Sequence, residues 1–342
     1  MKSTYGLAIL GCGRMGIEHG RNILAVPSAR IVAVADPVPS SRDSLQALTR
    51  AERSYDDPEA AIADPNVDAV VIVTPTPTHA DLIEAAARAG KAIFCEKPVA
   101  LSVERTERCL AAVEAAGVPF QIGFQRRYDP PYRKARERLE AGDLGTVDQF
   151  RATGRDPAPP PLEYLKASGG QFLDQGVHDF DVARFLVGEV EEVMAWGAVR
   201  VDPAIGELGD CDTSTTLLRF RNGALGVIEN SRRSAYGYDV VTEVFGSQGK
   251  LLIDDTPKTA LWQYSAGRRE GADGRLEADH YRFFMDRFKD AYRLEIEAFL
   301  GALASGRQPT PGPRDALESL RLAIAARTSY QERRPVRVEE VR

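Results

Sequence analysis

Three side chains in this 342-residue chain are of types and in settings that can do chemistry: Lys97, Asp174 and His178. Lys97 ends an apolar run in Cys95-Glu96-Lys97-Pro98, and the proline after it disfavours a helical backbone, so the amine is expected at a strand tip. Of the 44 basic residues only eight are lysines, so an ammonium here departs from a chain that otherwise uses arginine. An ammonium can donate to a reacting oxygen, and burial can draw its pKa toward the working range, which arginine does not allow. Asp174 and His178 lie four apart and share a helical face. A carboxylate there orients the imidazole and stabilises its protonated form, which suits a base that takes a hydroxyl proton. Each signal alone also has a bland reading, a solvated lysine or a helix-fixing His–Asp bond. His19 and His79 read as structural or cofactor-side residues, and His280 as loop surface.

The elements that must position these groups fall into two series. From Tyr5 to about Phe124, apolar runs at Gly6 to Leu10, Ile31 to Ala35, Ala69 to Val73, Ile93 to Cys95 and Phe120 to Phe124 alternate with helical patterns. That alternation demands crossovers, hence a doubly wound, Rossmann-type α/β domain with a parallel sheet. Thr78-x-x-Asp81 is expected to cap a helix that stops at Gly90, and Ser102 one that stops at Gly117. Gly11-Cys12-Gly13-Arg14-Met15-Gly16 follows a strand and opens a helix, the context of a dinucleotide fingerprint. Asp36 ends the next strand, where a carboxylate accepts from both ribose hydroxyls and repels a 2′-phosphate. NAD is therefore favoured, while Arg42 leaves NADP open. Thr74, Pro75, His79, Glu96 and Lys97 complete the expected cofactor-binding set.

Past Gln149 the period changes. Thr215 to Phe220 and Ala224 to Asn230 flank Asn222-Gly223, a hairpin signal. Val240 to Phe245, Leu251 to Asp254 and Ala260 to Tyr264 continue an antiparallel series. Helical segments fall at about Phe172 to Val187, Arg287 to Ser305 and Arg314 to Glu332, and Asp156 to Pro161 reads as a stiff extended loop. The expected division is a dinucleotide-binding domain over 1–125 and an α+β domain with a mostly antiparallel, open-faced sheet over 126–342. Substrate is expected in a cleft at the carboxyl ends of the parallel strands. A net charge of -6 argues against nucleic acid as a partner. No apolar run approaches the roughly 18 residues of a membrane span. The start is too short for a signal peptide. The four cysteines form no C-x-x-C pair, so no metal site is expected and the thiols read as reduced and cytoplasmic.

The glycine fingerprint, Glu96-Lys97-Pro98 and Asp174-x-x-x-His178, in that order, resemble the glucose-fructose oxidoreductase/inositol dehydrogenase (Gfo/Idh/MocA) family over nearly the whole chain. The resemblance implies that Lys97, Asp174 and His178 gather around a reacting hydroxyl beside NAD, with His178 as proton acceptor. Gly123 to Asp129, Arg155-Asp156-Pro157, Asp202 to Glu207 and Tyr236 to Asp239 are similar to the inositol 2-dehydrogenase branch, which makes Arg127, Asp156 and Tyr236 implied polyol contacts. Gln175-Gly176 departs from the bulkier or hydroxylated residues expected there. The implied activity is oxidation of a ring hydroxyl of myo-inositol or a close isomer to an inosose. An aldose or other sugar dehydrogenase, or a non-catalytic dinucleotide-sensing regulator, are the alternatives. The uncovered sheet face implies a homo-oligomer, dimer or tetramer.

Overall fold

A strand covered on both faces shows no polar alternation, and the first half of the chain follows that rule. In the computed structural model, which describes residues 4–254, 262–265, 268–271, 276–277 and 281–342, β1 (Tyr5–Leu10) leads through α1 (Arg14–Leu24) to β2 (Ala29–Ala35) and through α2 (Pro39–Thr49) to the short β3 (Arg53–Tyr55). After α3 (Pro58–Ala63) come β4 (Ala69–Ile72), α4 (His79–Arg88), β5 (Ala92–Glu96), α5 (Val103–Ala116) and β6 (Phe120–Gly123). Every residue of β4, β5 and β6 is buried. The six strands pair in parallel in the order β3-β2-β1-β4-β5-β6, so the order reverses between β1 and β4. Ligands of such sheets bind at this switch point.

The next stretch holds α6 (Pro130–Glu140), β7 (Val147–Arg155), α7 (Leu162–Ser168), α8 (Gln171–Asp174), α9 (Gly176–Leu186), β8 (Val190–Ala198) and α10 (Pro203–Glu207). The strands β9 (Thr213–Phe220), β10 (Leu225–Ser231), β11 (Asp239–Gly246) and β12 (Gly249–Ile253) follow. A separate small sheet contains β13 (Trp262–Ser265), β14 (Arg268–Gly271) and β15 (Leu276–Glu277). The chain ends through α11 (Phe284–Arg287), α12 (Lys289–Ser305), α13 (Pro313–Glu332) and β16 (Val336–Arg337). The larger sheet runs β12-β11-β7-β10-β9-β8-β16. It is antiparallel except between β7 and β10.

Strand register sorts the faces of that sheet. Val227 lies opposite Leu217 and Arg151, Phe245 and Leu225 both lie opposite Gln149, and Glu243 lies opposite Leu252. These residues therefore share one face with Trp196, which pairs with Thr215. Leu225 (56%), Trp196 (53%) and Leu252 (51%) remain half-exposed there, while Phe150, Ala152, Leu218, Ile228 and Val244 on the opposite face are buried.

Two differences from the sequence expectation have clear causes. The chain divides into Met1–Tyr128 with Asp290–Leu320, and Asp129–Lys289 with Arg321–Arg342, rather than at residue 125. The reason is that Ile296, Phe299 and Leu300 of α12 join the core of the first unit with Leu7, Ile9, Val71 and Phe94. Thr78 does not act as a side-chain cap: its hydroxyl donates to Pro75 O at 2.9 Å and lies 2.7 Å from the Thr74 hydroxyl, so it closes the turn after β4. Ser102 does cap α5, accepting from Arg105 N–H, and Gly117 ends it at φ +65°. The expected strand from Ala260 lies partly outside the described residues, and His280 lies wholly outside them. No helix among the described residues is long and apolar enough to cross a membrane.

Candidate active site

The turn after β1 is built around glycines for two different reasons. Gly11 sits at φ +103°, and a Cβ there would come within 2.8 Å of the Val73 backbone; a Cβ at Gly16 would lie 2.1 Å from Gly11 O. Those two glycines let the strand, the turn and α1 touch. A Cβ on Gly13 would meet no protein atom within 4 Å. Packing therefore does not explain Gly13, whereas a ligand passing close to the backbone does. The first N–H groups of α1, from Arg14, Met15 and Gly16 onward, begin at this turn, and such groups suit a pyrophosphate. Asp36 faces the same turn, its two carboxylate oxygens accepting Cys12 N–H at 2.7 Å and Val38 N–H at 2.8 Å. A fixed carboxylate beyond the glycines is the arrangement that accepts ribose hydroxyls. Arg42 donates to the Asp36 backbone oxygen at 2.6 Å. These residues fit the adenosine and pyrophosphate portions of NAD.

At the tip of β5, Lys97 is half-open between buried neighbours on both sides. Its peptide bond to Pro98 is cis. The flanking loop is tied down by His79, which is 2% exposed, with Nδ1 at 2.8 Å from Pro98 O and Nε2 at 2.7 Å from Thr74 O. Burial pushes the His79 pKa down. Its ring thus pins the Thr74-Pro75 turn to the Lys97-Pro98 loop, and both ring nitrogens are engaged by protein. Glu96 turns the other way, into the unit, where Oε1 meets His19 Nε2 at 2.7 Å. A third group closes on them: Glu295 of α12 is fully buried, and ligating atoms of His19, Glu96 and Glu295 lie within 4.8 Å of one another. Burial, with the charge of Glu96, raises the Glu295 pKa well above the carboxylate range. Both causes favour the protonated carboxyl of Glu295. Sequence reading missed it, although a carboxylate on the apolar stripe of α12, one turn from Phe299, is a legible signal.

In the second unit the expected single helix from Phe172 is two, α8 and α9, interrupted at Gln175. From Gln171 to Arg184 only Asp174, Gln175 and His178 are not buried. The carboxylate and the imidazole thus lie on the one open strip of an otherwise enclosed segment. Asp174 Oδ1 accepts the Tyr164 hydroxyl at 2.9 Å, and Oδ2 lies 3.3 and 3.4 Å from the terminal nitrogens of Arg232, whose side chain is buried. Arg232 and Tyr164 thus hold the two oxygens of the Asp174 carboxylate from different sides of the chain. The Gln175 amide donates to Asp156 Oδ2 and Ser231 O, both at 2.9 Å, and reaches Gly154 O at 3.4 Å. Gln175 thereby fastens the helix break to the ends of β7 and β10. Alongside, Tyr236 donates to Asp239 Oδ2 at 2.7 Å, and Arg155 pairs with the same carboxylate at 2.6 Å. Burial, with help from Asp239, raises the Tyr236 pKa, so its hydroxyl stays a donor.

The second unit thus holds Asp174, with Gln175 tied to Asp156, at the ends of β7 and β10; His178 follows on the first turn of α9, and Tyr236 lies beside Arg155 and Asp239, where β7 and β11 pair. Arg127 belongs to the first unit, where it pairs with Asp315 at 2.9 Å. Tyr164 and Arg232 were missed, and Arg155 and Asp239 stood only within the stretches similar to the inositol branch, because strand pairing and loop return, not local spacing, set their partners. The four cysteines are free and buried, and burial pushes Cys12, Cys109 and Cys211 up to about 12. They are inert thiols rather than nucleophiles.

Comparison with known proteins agrees with this geometry. Residues 5–124 match the oxidoreductase family with an NAD-binding Rossmann fold, and residues 132–252 match the GFO/IDH/MocA C-terminal domain. The chain is 40% identical over 336 residues to a myo-inositol 2-dehydrogenase of Thermotoga maritima, covering 98% of this chain and 99% of the relative. It is 42% identical over 337 residues to an inositol 2-dehydrogenase of Rhizobium meliloti, covering 98% and 99%. A solved scyllo-inositol dehydrogenase from Lactobacillus casei, with bound NAD(H) and scyllo-inositol, superposes with TM-score 0.89 at 29% identity over 98% of this chain and 99% of that one. The chain belongs to the Gfo/Idh/MocA family of NAD-binding oxidoreductases.

Proposed function

We propose that this protein oxidises a ring hydroxyl of myo-inositol, or a close isomer, to an inosose. The full-length similarity to two inositol 2-dehydrogenases at 40–42% identity is the observation that carries the reading. Bound NAD supplies the acceptor for the hydride that leaves the carbinol carbon. His178 takes the hydroxyl proton as that carbon becomes a ketone. Asp174, held by Arg232 and Tyr164, orients the imidazole and accepts from a neighbouring hydroxyl. Lys97 donates to the reacting oxygen and steadies the negative charge that develops on it. Asp156 and Tyr236 offer an acceptor and a donor to the remaining hydroxyls, with Arg127 a further contact, as a ring polyol requires. The half-exposed apolar face of the large sheet supports a homo-oligomer that buries it, and the four buried free thiols suit a cytoplasmic setting.

The test follows formation of the reduced nicotinamide by its absorbance over a panel of inositols and aldoses, with NAD and NADP in parallel. Myo-inositol or an isomer with NAD is expected to give the highest kcat/KM. Equal rates on glucose alone would remove the inositol reading, and tight NAD binding without turnover of any polyol would favour a sensing role. Lys97→Ala is expected to keep NAD affinity and lose turnover; unchanged turnover would take Lys97 out of the chemistry.

A further inference from the structure

The second unit contains a cavity of about 320 Å3 beside the Gly169-Gly170 turn, and none of the residues proposed for catalysis lines it. Lys166, Gly170, Phe172, Asp210, Arg327 and Tyr330 contribute to its walls. That volume is at the small end of metabolite pockets, which run from roughly 300 to 1,000 Å3. Phe172 and Tyr330, with ring centroids 5.8 Å apart, supply an apolar wall suited to a short carbon skeleton. Among the polar residues of its walls, Arg327 stands apart from Lys166 and Asp210. Its guanidinium is half-buried, and it makes no hydrogen bond or ion pair among the described residues.

An arginine does not shed its charge, so a partly desolvated guanidinium without a counter-ion is a standing cost that an anion removes. Burial pulls the Arg327 pKa down, and the charge of Asp210 opposes that pull without forming an ion pair. Asp210 is committed elsewhere: both of its oxygens accept the Gln171 N–H, at 3.0 and 3.1 Å. Lys166 adds a second cation at the wall, itself paired with Glu163 at 2.6 Å.

We propose that this cavity binds a small anion bearing carboxylate or phosphate oxygens, held by Arg327, and that its occupancy is transmitted to Asp174. The transmission path is short. Asp210 grips the first N–H of α8, and Asp174 is the last residue of that four-residue helix. A Cβ on Gly170 would lie 2.8 Å from Asp210 Oδ1, so the turn and the carboxylate move as one packed piece. Arg232, buried between these acids, contacts Asp174 and its charge is felt at Asp210. An anion on Arg327 changes the balance on Asp210 and, through α8 and Arg232, the setting of Asp174. The transmission rests on the dehydrogenase reading; the binding does not.

Calorimetric titration of the full chain with citrate, with inorganic phosphate and with chloride at matched ionic strength separates the sources. Saturable binding of citrate, one per chain, is expected, and binding of phosphate as well would mean that the oxyanion alone suffices. Arg327→Met is expected to weaken binding by about 10-fold or more, and Arg327→Lys by less. Initial rates on the same samples are expected to show KM for the polyol changed about twofold or more by saturating citrate in the wild-type protein and unchanged by it in Arg327→Met. Loss of saturable binding in Arg327→Met without any effect of citrate on wild-type KM would overturn the transmission and uphold the site. Wild-type protein that binds neither citrate nor phosphate, or Arg327→Met that binds as wild type does, would overturn the site. A change in particle size by light scattering in Arg327→Met, with no anion bound by wild type, would also overturn it and give the arginine's counter-ion to a second copy of the chain. A preparation inactive on every polyol still answers the binding arm, so failure of the activity reading is distinguished from failure of the site.

Discussion

In the first unit the groups proposed to face NAD are largely backbone: the turn at Gly11, Gly13 and Gly16, the first N–H groups of α1, and a carboxylate fixed by two further backbone N–H bonds. In the second unit the corresponding groups are side chains from several separate elements: Asp174 and His178 on α8 and α9, Asp156 after β7, Arg232 after β10, Tyr236 before β11, and Tyr164 on α7. A backbone cradle accepts one shape, the pyrophosphate that every dinucleotide carries. A side-chain ring can be re-lettered without disturbing the fold, and that is where preference among polyols is expected to be set. The cradle also tolerates little change, because most of its glycines are filled by protein rather than by ligand.

The largest effect expected from this contrast is on His178. His178→Asn keeps a polar group of similar reach and removes the base, so kcat is expected to fall by roughly 10²- to 10⁴-fold. Affinity for NAD, measured by titration of the intact protein, is expected to stay unchanged. An equal loss in NAD affinity would mean that the two groups of residues are not functionally separate, and the comparison would fail.

Within the cradle, the glycines themselves are expected to separate. Gly16→Ala puts a Cβ 2.1 Å from Gly11 O, a backbone clash that costs stability as well as binding; overpacking of this kind runs to about 1–3 kcal/mol. Gly13→Ala meets no protein atom and sits at φ -76°, so thermal unfolding of the ligand-free protein is expected to change by less than about 1 °C. Its NAD affinity is nonetheless expected to drop about 10-fold or more, because the methyl occupies the path of the ligand. Undiminished NAD affinity in Gly13→Ala would remove the pyrophosphate from this turn.

The same contrast explains what could be read in the sequence. The parallel strands were legible because burial on both faces leaves unbroken apolar runs, as in Ala69–Ile72 and in the Ile31 to Ala35 part of β2. The edge strand Arg53–Tyr55 was not, being short, polar and partly exposed. β7 and β8 were obscured by their polar, sheet-face residues; β7, for example, reads Val147-Asp148-Gln149-Phe150. An amphipathic α12 announces that one face is buried but not against what, so its allegiance to the first unit had to come from the fold. Glycine spacing and the i, i+4 pair are local signals and can be read from the sequence alone. The clamp of Arg232 and Tyr164 on Asp174, and the three-way tie of Gln175, arise from residues 10 to 58 positions apart and have no local signature.

The smallest expected effect tests a buried acid of the first unit against the solvated acids of the second. Burial raises the folded-state pKa of Glu295 above its ordinary 4.5, so the folded protein holds a proton that the unfolded chain releases once pH passes that value. Stability is then fully present below about 4.5 and declines as pH rises toward the folded-state pKa. Glu295→Gln imitates the protonated carboxyl and cannot titrate. The variant and the wild-type protein are expected to unfold at similar urea concentrations at pH 5, with the variant the more stable at pH 8, a gap that widens with pH. A gap that instead narrows with pH would mean that Glu295 is ionised in the folded state and held by a cation shared with Glu96 and His19, whose ligating atoms lie within 4.8 Å of its own. The sign of one slope therefore decides whether this cluster beside the Lys97 loop is neutralised by a proton.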